Sequence, residues 1–205
     1  MASGGDSVGP EGVKATATIA CFARTNNTKS AAVALTAMHL VTDAGLSPSS
    51  SLRFVSPSIE QGSGEFLGTL FRGTTEGVDA AAILLADTLL PTDYIRGIGF
   101  IQGFRSPTEA DKYKAIRMYG AGSQSVAVGR VESSPIAIPE LGLDEAFLVS
   151  IASGPGDSGA AIVSSDRYVL GLLKGRYSGG LAVAVTITSA LAALRCRMPD
   201  SFLSQ

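Results

Sequence analysis

The chain has 205 residues, with 16 lysines and arginines against 18 aspartates and glutamates, a formal net charge of −2 and a pI near 5.4. Charged residues make up 17% and mean hydropathy is +0.29, which excludes a highly charged disordered chain. The acidic balance gives no electrostatic footprint for nucleic acid, and no apolar run reaches the roughly 20 residues needed to span a bilayer. At this length one domain or a two-lobed unit is expected.

Met1 to Gly12 is small, acidic and glycine-rich, without the basic start and apolar core of a signal peptide, so residues 1–13 read as a flexible tail and the chain as cytoplasmic. Short β-type runs then recur between turn residues, and helical periodicity is scarce. Ala15 to Ala23 alternates, Asn26-Asn27 makes a turn, and Ala31 to Thr36 delivers His39 at its end. Leu52 to Val55, Phe66 to Arg72 and Asp79 to Leu85 complete a first group, residues 14–95. A stretch with several prolines and glycines contains the linker, residues 96–110. The second group, residues 111–205, runs through Tyr113 to Tyr119, Ser125 to Glu132, Phe147 to Ile151, Ala160 to Val163, Val169 to Leu173 and Leu181 to Ile187. Ser189 is expected to cap a terminal helix, Ala190 to Arg195, with Arg195 and Arg197 near its negative end. Regularly spaced short strands predict an all-β sandwich or barrel.

His39 is the only histidine, and imidazole is the one side chain whose unperturbed titration falls near neutrality. If the chemistry needs a histidine base, His39 is the sole candidate. Asp79 opens the apolar run Ala80 to Leu85, and Ser158 stands between glycines in Gly154-Pro155-Gly156-Asp157-Ser158-Gly159. The chain order is therefore His, Asp, Ser. Asp43, four positions after His39, is a rival acid that would face solvent. Cys21 and Cys196 are the only cysteines; two buried reduced thiols are expected, with a bridge tying the two ends as the alternative. No cysteine, histidine or carboxylate cluster has zinc-ligand spacing, so neither metal nor other cofactor is expected.

These segments resemble the chymotrypsin-like (trypsin-fold) serine peptidases, above all the compact bacterial members. Thr36-Ala37-Met38-His39 resembles the family's Thr-Ala-Ala-His, with Met38 for the second alanine. Asp79 and its followers are similar to the Asp-Ile-Ala-Leu-Leu stretch, and Gly156-Asp157-Ser158-Gly159 matches the nucleophile motif unchanged, although Ala160-Ala161 replaces the usual Gly-Pro. The resemblance spans residues 14 to 195. It implies two six-stranded β-barrels packed together, His39 and Asp79 from the first and Ser158 from the second, with a short C-terminal helix. It also implies a serine endopeptidase working through an acyl-enzyme, with the Gly156 and Ser158 amides as oxyanion hole. In zymogen-activated members the residue matching Asp157 pairs with a new N-terminal amine. No Ile-Val-Gly-Gly segment is present here, so Asp157 is expected to bond within its loop or to pair with a cation.

Substrate preference follows from the same resemblance. The residue six before the nucleophile, Ala152, would lie at the base of the primary pocket, with Lys174, Gly175 and Arg176 as its walls. Ala152 offers no carboxylate for a basic side chain, so small or apolar P1 residues are the first reading and acidic ones, paired with Lys174 or Arg176, the second. The partners implied are a protein or peptide substrate and a regulatory protein that restrains an intracellular protease, with neither nucleic acid nor membrane. The alternative, prompted by Met38, the pocket residues and the loose match at Asp79, is a catalytically inactive binding module of the same fold in a multi-protein assembly.

Overall fold

The computed structural model describes residues 2–200; Met1 of the expected tail and 201–205 of the expected second barrel lie outside that range. The first half contributes β1 (Ser7–Pro10), β2 (Ala17–Thr18), β3 (Phe22–Thr25), β4 (Ala32–Thr36), the one-turn helix α1 (His39–Thr42), β5 (Arg53–Ser56), β6 (Glu65–Thr74) and β7 (Ala80–Leu85). Three short strands follow: β8 (Tyr94–Ile95), β9 (Gly99–Phe100) and β10 (Gly103–Phe104). The second half supplies β11 (Ala115–Gly120), β12 (Ser125–Val131), β13 (Ile136–Ile138), β14 (Leu143–Ser150), β15 (Ala161–Ser164), β16 (Tyr168–Arg176), β17 (Ala182–Thr186), α2 (Ile187–Leu194) and β18 (Cys196–Arg197).

The first sheet has the order β18-β3-β4-β7-β6-β5-β1-β2. Its ends meet through the chain itself, because β2 and β3 are successive pieces of one segment that pairs with β1 at Ala17–Thr18 and with β4 at Phe22–Arg24. Taking that bent segment as one strand, it closes a six-stranded barrel with β4, β7, β6, β5 and β1. In the second half β11, β12, β14, β15, β16 and β17 form a closed ring of six, since β17 pairs with both β14 and β16. Closure leaves few open edges. The expected pair of barrels with a short C-terminal helix is what the chain forms.

Strands at the junction are apolar on both faces, and the alternation shows where each face goes. In β7, Ala81, Ile83 and Leu85 fill the first barrel, whereas Ala80 and Ala82 join the core between the barrels. In β17, Ala182 and Ala184 fill the second barrel, and Val183 and Val185 point into the shared core. Val33 and Leu35 of β4 meet them there, with Ile187, Ala190 and Leu194 of α2. Because these faces alternate residue by residue, a one-residue slip in β4 or β7 would exchange the two cores.

Three expectations change. The segment 1–13 is not a loose tail over its described part: Ser7–Pro10 is buried and pairs with both β2 and β5. Gly9 serves close approach, since a Cβ there would stand 2.3 Å from the Ala15 carbonyl oxygen. The terminal helix begins at Ile187, three residues before the expected start, and Thr186 is its N-cap, its hydroxyl accepting from the Ser189 amide at 3.3 Å. Sequence placed the cap on Ser189 because Thr186 reads equally well as the end of a strand. After α2 the chain returns to the first sheet, where β18 pairs with β3, Cys196 opposite Thr25. Cys21 and Cys196 are free and buried, and burial pushes both thiols up, which keeps them protonated. Among the described residues no helix is long and apolar enough to cross a membrane.

Candidate active site

β4 and β7 are antiparallel neighbours with Thr36 opposite Ala81. The residues just after β4 and just before β7 therefore lie at one end of the sheet, which brings His39 to Asp79. His39 Nδ1 lies 2.5 Å from Asp79 Oδ2, and the amides of Met38 and His39 both donate to Asp79 Oδ1 at 2.9 Å. Asp79 is only 1% exposed. Burial by itself would raise its carboxyl, but the hydrogen bonds from His39 and Lys174, with the lysine's charge, outweigh it and hold the group down, at about 2. An ionised carboxylate only accepts, so the neutral imidazole carries its proton on Nδ1 and leaves Nε2 free as a base. Asp43 is exposed at the end of α1 and takes no part. Met38 is accommodated because Gly73 faces it: a Cβ on Gly73 would stand 2.2 Å from Met38 Sδ.

Ser158 sits in the turn between β14 and β15. Gly156 and Gly159 both have φ of +86°, which a side chain rarely allows. A Cβ on Gly159 would stand 2.5 Å from the Thr18 carbonyl oxygen and from Thr36 Oγ1, so the turn lies directly against the strand that leads to His39. Thr18 holds it there. Its amide donates to the Ser158 carbonyl at 2.8 Å, its hydroxyl donates to the Gly156 carbonyl at 2.8 Å, and the same hydroxyl accepts from the Ala121 amide at 2.9 Å. Thr36 completes the link, its hydroxyl donating to the Thr18 carbonyl at 2.8 Å.

Asp157 is fully buried beneath the turn. Its two carboxylate oxygens accept from the Ser123 and Gly154 amides, each at 2.8 Å, so it bonds within neighbouring loops. The cradle depends on two glycines: a Cβ on Gly120 would stand 2.0 Å from Asp157 Oδ1, and one on Gly122 would stand 1.9 Å from the Pro155 carbonyl oxygen. The amides of Gly156 and Ser158 donate to no protein acceptor among the described residues.

Lys174 joins the two halves. It is the extra residue of a β-bulge, since Leu173 and Gly175 face consecutive residues of β17, Ala184 and Val183. Its carbonyl accepts from the Ser158 hydroxyl at 3.1 Å, and its ammonium donates to Asp79 Oδ2 at 2.8 Å. The Ser158 hydroxyl thus bonds to the Lys174 carbonyl rather than to the imidazole. Expected as a pocket wall, Lys174 instead turns its cation to the carboxylate, because the bulge re-aims it. Arg176 Nε donates to the Ser153 carbonyl at 2.8 Å, linking β16 to the segment before Ser158. Ala152 is exposed, as the lining of an open groove would be and the floor of a closed pocket would not. A cavity of about 500 Å³ lies elsewhere, lined by Asp6, Gln61, Phe66, Arg96 and Tyr119 among others, and none of His39, Asp79 and Ser158 borders it. Among the described residues no group of histidine, cysteine or carboxylates could hold a metal ion.

Sequence reasoning missed Thr18, the bracing loop Gly120–Ser123 and the turn of Lys174 toward Asp79. Gly120 and Gly122, spaced by one residue after a strand, carried a signal of close backbone approach. Thr18 carried none.

No family model and no curated protein sequence matches the chain. Solved structures do. Protease A of Thermobifida fusca superimposes with a TM-score of 0.71 at 16% identity, over 96% of this chain and 97% of that one. A chymotrypsin of Cellulomonas bogoriensis gives 0.68 at 17% identity, again over 96% and 97%. A glutamic acid-specific serine protease, described as using a histidine triad in substrate binding, gives 0.70 at 19% identity, over 97% of this chain and all of that one. The chain has the fold of the bacterial chymotrypsin-like serine proteases.

Proposed function

We propose that the chain is a serine endopeptidase with Ser158 as nucleophile, His39 as general base and Asp79 as the acid that fixes the imidazole. Ser158 Oγ attacks the peptide carbonyl carbon while His39 Nε2 takes its proton. The oxyanion meets the amides of Gly156 and Ser158, and collapse expels the amine with the proton returned by His39. Water, activated by the same base, then hydrolyses the acyl-enzyme. The observation that carries this reading is the buried, ionised Asp79 on His39 Nδ1, which gives the only histidine the correct tautomer beside the nucleophile turn.

Arg176 is the cation left to face a substrate, with guanidinium N–H groups beyond the Nε already used. The glutamate-specific neighbour is described as using a histidine triad in substrate binding, which a chain with one histidine cannot build. Small, apolar or Arg176-paired acidic P1 residues fit the groove of Ala152, Gly175 and Arg176; basic ones do not. Two free buried thiols suit the intracellular setting of this reading.

The Ser158 hydroxyl on the Lys174 carbonyl favours a second reading, an inactive binding module. A fluorophosphonate probe separates the two. Stoichiometric adduct on Ser158, lost in His39→Ala, is expected; no adduct under conditions that label a control peptidase would leave the binding module.

A further inference from the structure

A buried catalytic carboxylate that serves an imidazole alone favours the protonated ring. Here the same oxygen also serves a cation. His39 Nδ1 lies 2.5 Å from Asp79 Oδ2 and Lys174 Nζ lies 2.8 Å from it, with the Lys174 side chain 23% exposed and that of Asp79 fully buried. The lysine is built for this position: as the bulged residue of β16 it turns its ammonium to Asp79 and its carbonyl to Ser158.

We propose that Lys174 is a positioning residue of the dyad, a built-in counter-cation that fixes Asp79 from the second barrel and shifts the working range of His39 to lower pH. The inference rests on the peptidase reading above. With the ammonium already on Asp79, a second positive charge on the ring gains less from the carboxylate, so the neutral base survives in more acidic solution. Other charged groups on the packed elements are turned elsewhere. Arg176 binds the Ser153 carbonyl, Arg72 binds the Ala193 carbonyl, and Asp157 is held by the Ser123 and Gly154 amides. Asp43 and Glu76 are exposed, and Asp144 lies against Gly77.

Because His39 is the only histidine, its ring Cε1–H signal titrates without ambiguity in NMR. The ring titration and the pH profile of kcat/KM would be measured for the wild type, Lys174→Met, Lys174→Gln and Lys174→Arg. Expected is a rise of roughly one pH unit in the ring midpoint and in the acidic limb for Met and Gln, with Arg close to wild type. Gln keeps a donor for Asp79 without charge and is the milder change should Met unfold. A midpoint unmoved or lowered in Gln would overturn the counter-cation. A ring shift as expected in a protein that neither hydrolyses peptides nor takes the fluorophosphonate would uphold the electrostatic role of Lys174 and reject the peptidase reading instead.

Discussion

His39 and Asp79 are brought together by the register of two paired strands, whereas Ser158 is placed by a turn that leans on glycines and one threonine. The first arrangement is repaired easily: a bulky Met38 fits because Gly73 gives way opposite it. Around the second the close neighbours are backbone: a would-be Cβ on Gly122 stands 1.9 Å from the Pro155 carbonyl oxygen, and one on Gly159 stands 2.5 Å from that of Thr18. Gly156-Asp157-Ser158-Gly159 matches the motif of the resembled serine peptidases unchanged, while the stretch at Asp79 matches it loosely.

The comparison can be broken most severely at the nucleophile. Ser158→Ala should lower turnover by on the order of 10⁴ to 10⁶ while the melting temperature stays put, and retained activity would refute the assignment. On the strand-borne side, Asp79→Asn should cost roughly 10⁴ in kcat at neutral pH through the wrong tautomer, and Asp43→Asn almost nothing. A reversal between those two would show the wrong acid has been chosen. The same pair gives a stability test. Asp79 is held at about 2 against an ordinary 3.8, so its ionised form contributes stability that is complete above about pH 4 and lost as pH falls toward 2. Melting temperatures of wild type and Asp79→Asn should converge over that window; a constant gap would show that the stabilising form is not the carboxylate.

Smaller effects probe how the turn is held. Thr18→Val keeps the shape but leaves the Gly156 carbonyl and the Ala121 amide without the hydroxyl, at about 1–3 kcal/mol in denaturant unfolding. Its loss of activity should fall on kcat more than on KM, and an unchanged kcat would separate Thr18 from the oxyanion turn. Arg176→Ala should be the mildest, leaving kcat/KM for small P1 residues within about twofold and weakening acidic ones by roughly tenfold. Equal loss on both would make Arg176 a brace for Ser153 and not a specificity residue.

The legible part of this molecule was its strands and its reactive side chains. Short apolar runs placed β4, β7 and β17 closely, because strands packed between two cores are apolar on both faces. His39, Asp79 and Ser158 stood out since each is rare or framed in its context. What stayed hidden depends on contacts across the fold. Thr18 is one threonine among several, and only the folded chain sets it against residues more than a hundred positions away. Lys174 reads as a wall residue until the bulge in β16 turns it. The N-terminal segment misled for a related reason: Gly4 and Gly9, which read as looseness, let backbones touch.

The pairing of β18 with β3 bears on the order in which the chain can complete its first sheet. The sheet that carries His39 has an outer edge at β3, and Cys196–Arg197 cover it. A chain emerging from the ribosome folds from its N-terminus, so that edge stays uncovered until everything including Ser158 and Lys174 has been made. Of the described strands, the one latest in the chain completes the sheet that the earliest one opens. A strand made after Ser158 and Lys174 thus covers the outer edge of the sheet from which His39 and Asp79 project.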